Sequence, residues 1–102
     1  MKPENMSTAE SLWADRPIRS PTELRTLITK LKKSVASGEM QQCWPADAPF
    51  ATDIKISDVN ENDSWPADYI EWYFFLTENK KLYKLSVDTY HGAGGHWEVI
   101  MP

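Results

Sequence analysis

Two histidines flank a glycine-rich run, and histidines in such a setting can ligate a metal ion or transfer a proton. The run is His91-Gly92-Ala93-Gly94-Gly95-His96. Together with Asp88 or Glu98, the two imidazoles could supply nitrogen and oxygen ligands to a divalent metal ion. The backbone N–H groups of the glycines could bind an anion. Phosphate and dinucleotide loops open a helix, however, whereas this run leads into the strand pattern 97–99. The sequence therefore predicts a structural turn and no metal or cofactor.

The same loop remains the alternative site, for a small enzyme or a ligand- or metal-binding domain. That interpretation requires both imidazoles and a carboxylate to share one pocket. The residues of this alternative ligand loop are Tyr90, His91, Gly92, Gly94, Gly95 and His96.

An acidic segment, 58–68, is the second place where residue types suggest chemistry. It begins with oxygen-bearing side chains at alternate positions, as calcium loops do. Asp63 replaces the turn glycine of such loops, and Tyr69 replaces their bidentate glutamate. The pattern predicts a solvated loop or an acidic patch for a basic partner. Cys43, the one cysteine, has no activating base beside it and is predicted to be a buried structural thiol.

Length and charge limit the class of partner. The 102 residues suit one domain, with a net charge of −4. Residues 1–39 hold seven Lys/Arg against five Asp/Glu, and residues 40–102 hold four against ten. An acidic body disfavours nucleic-acid binding and favours a basic protein partner. No run has the length of a membrane span and residues 1–15 lack a signal-peptide pattern, so we expect a cytoplasmic protein that does not bind membranes.

A β-hairpin over 69–90 is predicted to position these residues. Aromatic and β-branched residues dominate both arms, and Asn79 suits a tight turn between them. A turn centred on Asn79 and Lys80 pairs Trp72 with Val87 and places Glu71 opposite Asp88. Two like charges in that position need a neutralising cation, from this chain or from a partner.

The predicted hairpin has two unlike faces. One face is apolar and begins with Ile70 and Trp72. The other face carries an aromatic stripe of Tyr69, Tyr73, Phe75 and Tyr90, with Glu71, Lys84, Ser86 and Asp88. Two interpretations of the stripe remain open at this point. It is either covered by Trp13, Trp44 or Trp65, or open as a contact surface, including one for a homodimer.

The remaining elements are a helix and two strands. Ser20 as N-cap, Pro21 at the first helical position, Glu23 and a later Gly38 predict the helix and its ends. Strands are expected over 52–57 and 97–100. The predicted fold is α+β in two layers, with one N-terminal helix on a four-stranded, mainly antiparallel sheet. Residues 1–19 are expected to be a mobile arm, and residues 20–102 the domain.

The stretch 85–97, LSVDTYHGAGGHW, resembles the C-terminal signature of short bacterial proteins. As a small, acidic, tryptophan-rich α+β unit, the chain is similar to immunity proteins of bacterial toxin systems. The resemblance implies a noncatalytic protein that neutralises a toxin by binding it. Some proteins of this kind carry cysteine pairs near the hairpin tip, which suggests zinc. Here the tip is Thr77-Glu78-Asn79-Lys80, which offers no cysteine.

These observations lead to one main functional hypothesis: a noncatalytic cytoplasmic domain of immunity or antitoxin type, which binds a basic, toxin-like protein. Acidic side chains would supply charge complementarity, and aromatic side chains would act as anchors. The predicted partner-binding residues are Asp58, Glu61, Asp63, Asp68, Glu71, Tyr73, Phe75 and Asp88.

Overall fold

In the computed structural model, which describes residues 13–90 and 94–101, one helix packs on an antiparallel sheet. Five strands form the sheet in the order β1-β5-β4-β3-β2. The elements are β1 (Arg16–Ile18), α1 (Pro21–Ser37), β2 (Met40–Cys43), β3 (Tyr69–Leu76), β4 (Leu82–Asp88) and β5 (Gly94–Met101). The α+β class is confirmed, with five strands instead of four. No helix in the described ranges combines the length and apolar character needed to cross a membrane.

Helix α1 begins and ends where the sequence predicts. The Ser20 hydroxyl accepts the Glu23 N–H at 3.1 Å, and the Glu23 carboxylate accepts the Arg19 N–H at 2.8 Å. Gly38 ends the helix in the left-handed region, at φ 87°, which its missing Cβ permits. The stripe that faces the sheet is buried and consists of Leu24, Leu27, Ile28 and Leu31.

The register of the β3–β4 hairpin differs from the prediction by two residues. Trp72 lies opposite Leu85, and Ile70 lies opposite Val87. The turn is longer than expected, because the Lys80 N–H donates to the Leu76 carbonyl and Lys80 adopts φ 64°. A shift of two keeps every side chain on its predicted face. The apolar face is therefore buried against α1, as expected.

Tryptophan and tyrosine rings fill the core between sheet and helix. Trp97 stacks on Tyr83 with ring centroids 5.1 Å apart, and Trp13 packs against Trp97 at 5.6 Å. The Trp97 Nε1–H donates to the Trp13 carbonyl at 3.0 Å. Trp13 is buried, so the part of the predicted mobile arm that the structure describes, residues 13–19, belongs to the folded domain.

The segment 52–57 differs from its prediction as a strand. Residues 52–55 form an irregular loop, and this loop leads into a short 3₁₀ turn at Ile56–Asp58. The side chain of Gln42 replaces a strand partner: its amide donates to the Ile54 carbonyl at 3.0 Å, and its oxygen accepts the Ile56 N–H at 2.8 Å. The alternation of isoleucines that suggested a strand instead puts Ile56 in the core.

Candidate functional site: the second face of the sheet

Helix α1 packs on one face of the sheet, and the opposite face, here called the second face, carries a mixture of tyrosines and charged groups. Side chains alternate between faces along each strand, and directly paired residues share a face. The pairing gives two cross-strand rows, Glu71–Ser86–His96 and Tyr73–Lys84–Glu98. The second face comprises Tyr69, Glu71, Tyr73, Phe75, Leu82, Lys84, Ser86, Asp88, His96 and Glu98, with Gln41 and Cys43 of β2 at one edge and Pro17 of β1 at the other.

A hydrogen-bonded network lies at the centre of the second face. The Tyr73 hydroxyl donates to Glu71 Oε2 at 2.6 Å, and the Tyr69 hydroxyl donates to Glu71 Oε1 at 3.3 Å. Glu71 is only 9% exposed, so these donors replace water around its carboxylate. The loop residue Thr52 also binds β3 at this point, because its hydroxyl accepts the Glu71 N–H at 2.8 Å.

Burial and the nearby carboxylates keep both tyrosines protonated. Burial raises the pKa of Tyr73, and the hydrogen bond to Glu71 raises it further. The pKa of Tyr69 is also raised, by burial and then by the charge of Glu71, with a smaller contribution from Glu98. Both hydroxyls therefore act as hydrogen-bond donors at neutral pH, and they fix the position of the Glu71 carboxylate.

The predicted clash between Glu71 and Asp88 does not occur. Glu71 lies opposite Ser86, and Asp88 lies opposite Tyr69. Asp88 also accepts the Tyr90 N–H at 2.9 Å. The prediction placed the two carboxylates together because it assumed a tighter turn, and the longer turn separates them by one cross-strand step.

The aromatic stripe is partly buried and partly open. Tyr73 is buried, and Phe75 is half-buried with the Lys80 ammonium 5.2 Å from its ring centroid. Tyr69 is 50% exposed. Of the tryptophans expected to cover the stripe, Trp13 instead packs in the helix-side core, and Trp65 is half-buried against that same core. Trp44 keeps 43% of its surface exposed.

The acidic residues of the segment 58–68 have different environments. Asp58, Asp63 and Asp68 are exposed. Glu61 is buried instead, and its carboxylate pairs with Lys32 at 2.9 Å and accepts the Thr29 hydroxyl at 2.6 Å. These two donors, Thr29 first, lower the pKa of Glu61 to about 2. Glu61 thereby joins its loop to α1, which disfavours its predicted role as a partner contact.

The alternative ligand loop is described only in part, because His91 and Gly92 lie outside the described residues. Tyr90 is exposed, and Gly94 and Gly95 begin β5. His96 is exposed on the second face, opposite Ser86. Across the described ranges, no group of three or more His, Cys, Asp or Glu side chains is placed to hold a metal ion.

Cys43 borders the second face, since it pairs with Tyr73 across β2 and β3. The thiol is half-buried, and burial raises its pKa, so the nucleophilic thiolate is disfavoured.

Tyr69 and Glu98 lie on the second face, although neither is among the residues predicted from the sequence to bind a partner. Glu98 was considered only as a metal ligand, yet it faces outward beside Tyr69. The signal was present in the alternation of β5, where Trp97 and Val99 point toward the core and place Glu98 on the opposite side. Comparison with protein families, with curated proteins and with solved structures finds no match for this chain.

Proposed function

We propose that this protein is a noncatalytic binding domain of immunity type, which neutralises a basic, toxin-like protein through the second face of its sheet. The observation that carries the proposal is the arrangement at Tyr69 and Glu71. The ring of Tyr69 is half-exposed, and its hydroxyl donates to the Glu71 carboxylate, which the Tyr73 hydroxyl also holds in place. Such preorganised groups lose little conformational freedom when a partner binds.

The charges of the second face support a basic partner. Three carboxylates, Glu71, Asp88 and Glu98, share the face with two ammonium groups, those of Lys84 and of Lys80 over the Phe75 ring. Asp68 adds an exposed carboxylate at the start of β3. Complementary charge accelerates association and selects the partner, whereas a desolvated tyrosine supplies contact area. Phosphate groups would be repelled, which disfavours a nucleic acid as the partner.

The test compares matched variants of the tagged full chain in pull-downs from the source cell's lysate, at low and high salt. Glu98→Gln removes one charge from the second face without changing its shape, and Glu78→Gln does the same at the exposed hairpin tip. Tyr69→Ala removes the aromatic anchor. We expect one dominant basic protein to be captured, with affinity about ten-fold weaker for E98Q and Y69A and changed less than about two-fold for E78Q.

The proposal is overturned if the captured protein is acidic, or if it binds E98Q and Y69A as tightly as the unmodified chain. The proposal is also weakened if no protein is captured, either from the source cell's lysate or from lysates of cells that produce competing toxins. Circular dichroism of each variant separates lost binding from lost folding.

A further inference from the structure

A groove runs along the segment 53–66, among residues that do not belong to the second face. It consists of two concavities of 460 and 310 Å³. Ile54 and Asp58 line both, so the two concavities adjoin. The first concavity adds Trp44, Asp53 and Lys55, and the second extends to Asp63 and Pro66. We call this surface the acidic groove.

The backbone that forms the acidic groove is held by specific hydrogen bonds. Trp44 Nε1–H donates to the Thr52 carbonyl at 3.2 Å, which orients the exposed indole. Gln42 fixes Ile54 and Ile56 from the edge of β2. At the other end, the Asp63 carboxylate accepts the Ser64 N–H at 2.9 Å. The walls are therefore formed before any partner arrives, which lowers the ordering cost of binding.

The lining combines an apolar floor with negative charge. Ile54 is half-buried and packs against the core, and the Trp44 ring stands beside it. The side chains of Asp53, Asp58 and Asp63 are exposed, against one ammonium group from Lys55. An occupant with positive charge around an apolar side chain complements both features, because the aspartates attract the cations and the floor excludes water from the apolar group.

We propose that the acidic groove binds an extended segment of a basic protein, in which lysine or arginine side chains flank an apolar residue. An extended chain advances about 3.3 Å per residue, so a few residues span both concavities. The indole of Trp44 offers the flanking cation a ring face, and the carboxylate of Asp53 lines the same concavity. This inference rests on the proposed function only in that the partner is basic, and it adds a second contact region with its own peptide specificity.

The experiment titrates the full-length protein with a short synthetic peptide, capped at both ends, in which lysines flank a central leucine. Binding is followed by amide and indole NMR shifts and by calorimetry. We expect shifts at residues 53–64 and at the Trp44 indole. Asp58→Asn with Asp63→Asn should weaken binding about ten-fold, and the matched pair Asp47→Asn with Glu78→Gln less than about two-fold. A peptide with glutamates in place of the lysines should not bind.

Several outcomes would overturn this inference. These are an absence of saturable binding below about 1 mM, equal weakening by the two double variants, or shifts confined to the second face. The last result would leave the proposed function standing, since that function is tested separately by E98Q and Y69A. Reversible self-association that D58N with D63N abolishes would show that a second copy of this chain is the occupant instead.

Discussion

Two buried glutamates in this protein receive hydrogen bonds from different kinds of donor. Glu71 receives hydrogen bonds from Tyr69 and Tyr73 and keeps its place on the second face. Glu61 receives a hydroxyl from Thr29 and an ammonium from Lys32. A buried carboxylate without such donors is costly, so each set has a structural role. Of the two sets, only the one around Glu71 also has a half-exposed ring, that of Tyr69.

Glu61 predicts a specific dependence of stability on pH. Its pKa in the folded protein is about 2, below the ordinary 4.5, so its contribution is present above about pH 4.5 and is lost as pH falls toward 2. We expect Glu61→Gln to lower the free energy of unfolding by about 1–3 kcal/mol at pH 7. The difference from the unmodified protein should shrink between pH 4.5 and 2. Urea unfolding at several pH values measures it.

The control for this prediction is Glu78→Gln, which removes a carboxylate from the exposed turn. Its effect on the free energy of unfolding should stay within about 0.5 kcal/mol at every pH. An E61Q deficit that is constant down to pH 2 would contradict the assignment of the effect to the Glu61 charge.

At the scale of elements, the helix was predictable and the sheet only in part. The ends of α1 depend on local signals, a serine cap and a glycine in the left-handed region, which are readable in the sequence. The faces of the hairpin also follow from alternation, so Glu71, Tyr73 and Asp88 were correctly expected on one side. Its register was not readable, because Asn79 does not take the left-handed position. Lys80 does, while the Asn79 side chain accepts the Lys81 N–H.

The edge strands left little trace in the sequence. Strand β1 has three residues with Pro17 at its centre, and one of the three is buried. In β2, Met40 is the fully buried residue. A strand with one inward side chain has no alternation to detect.

The role of Glu61 could not be predicted for a different reason. Its partner Lys32 is 29 positions away in the sequence, and only the fold brings the two residues together.

The two glycines at the start of β5, Gly94 and Gly95, differ in the space that is available for an added Cβ atom. A Cβ at Gly95 would press on the Ser86 carbonyl and lie 2.6 Å from Val87 Cα, both of them backbone atoms. A Cβ at Gly94 would have no atom within 4 Å. We therefore expect Gly95→Ala to lower the free energy of unfolding by about 3 kcal/mol, because β4 and β5 must separate.

Gly94→Ala is the matched control and should change the free energy of unfolding by less than about 0.5 kcal/mol. Chemical denaturation of the two variants compares them directly. Equal effects of the two substitutions would show that close packing at Gly95 is not what the strand requires.

At the scale of the whole molecule, charge is distributed unevenly over the fold. Helix α1 carries Arg25, Lys30, Lys32 and Lys33. Two of these, Arg25 and Lys32, bind Glu61 or the loop carbonyls next to it. The acidic groove carries the exposed carboxylates of Asp53, Asp58 and Asp63, and the second face carries the half-buried Asp88 and Glu98. This distribution would direct the proposed basic partner toward the sheet and the segment 53–66, and away from the helix.

Trp13 connects the start of the described chain to the last strand, and its removal should weaken the whole domain. The side chain is 1% exposed, lies 5.6 Å from the Trp97 ring centroid, and donates to Glu39 at 3.3 Å. We expect Trp13→Ala to lower the free energy of unfolding by about 3–5 kcal/mol, through the cavity that it leaves. Since small domains have about 5–15 kcal/mol in total, this variant should be partly unfolded when warmed.

Trp13→Phe serves as the comparison, because it keeps an aromatic ring and loses the indole N–H. Its effect should be clearly smaller than that of W13A in the same thermal and chemical melts. A loss below about 1 kcal/mol for W13A would contradict a central role for Trp13 in the core.

The contact between Trp13 and Trp97 also has a consequence during synthesis. The two residues are 84 positions apart, and β1 finds its partner only in β5. At about 5–20 residues per second, a ribosome adds Trp97 on the order of 4–17 s after Trp13. During that interval, Trp13 lacks the Trp97 ring that packs against it in the folded domain, and β4, once it is made, lacks its β5 neighbour. Until β5 follows, the edge of β4 that it will cover can pair with other chains, so the unfinished sheet is open to aggregation.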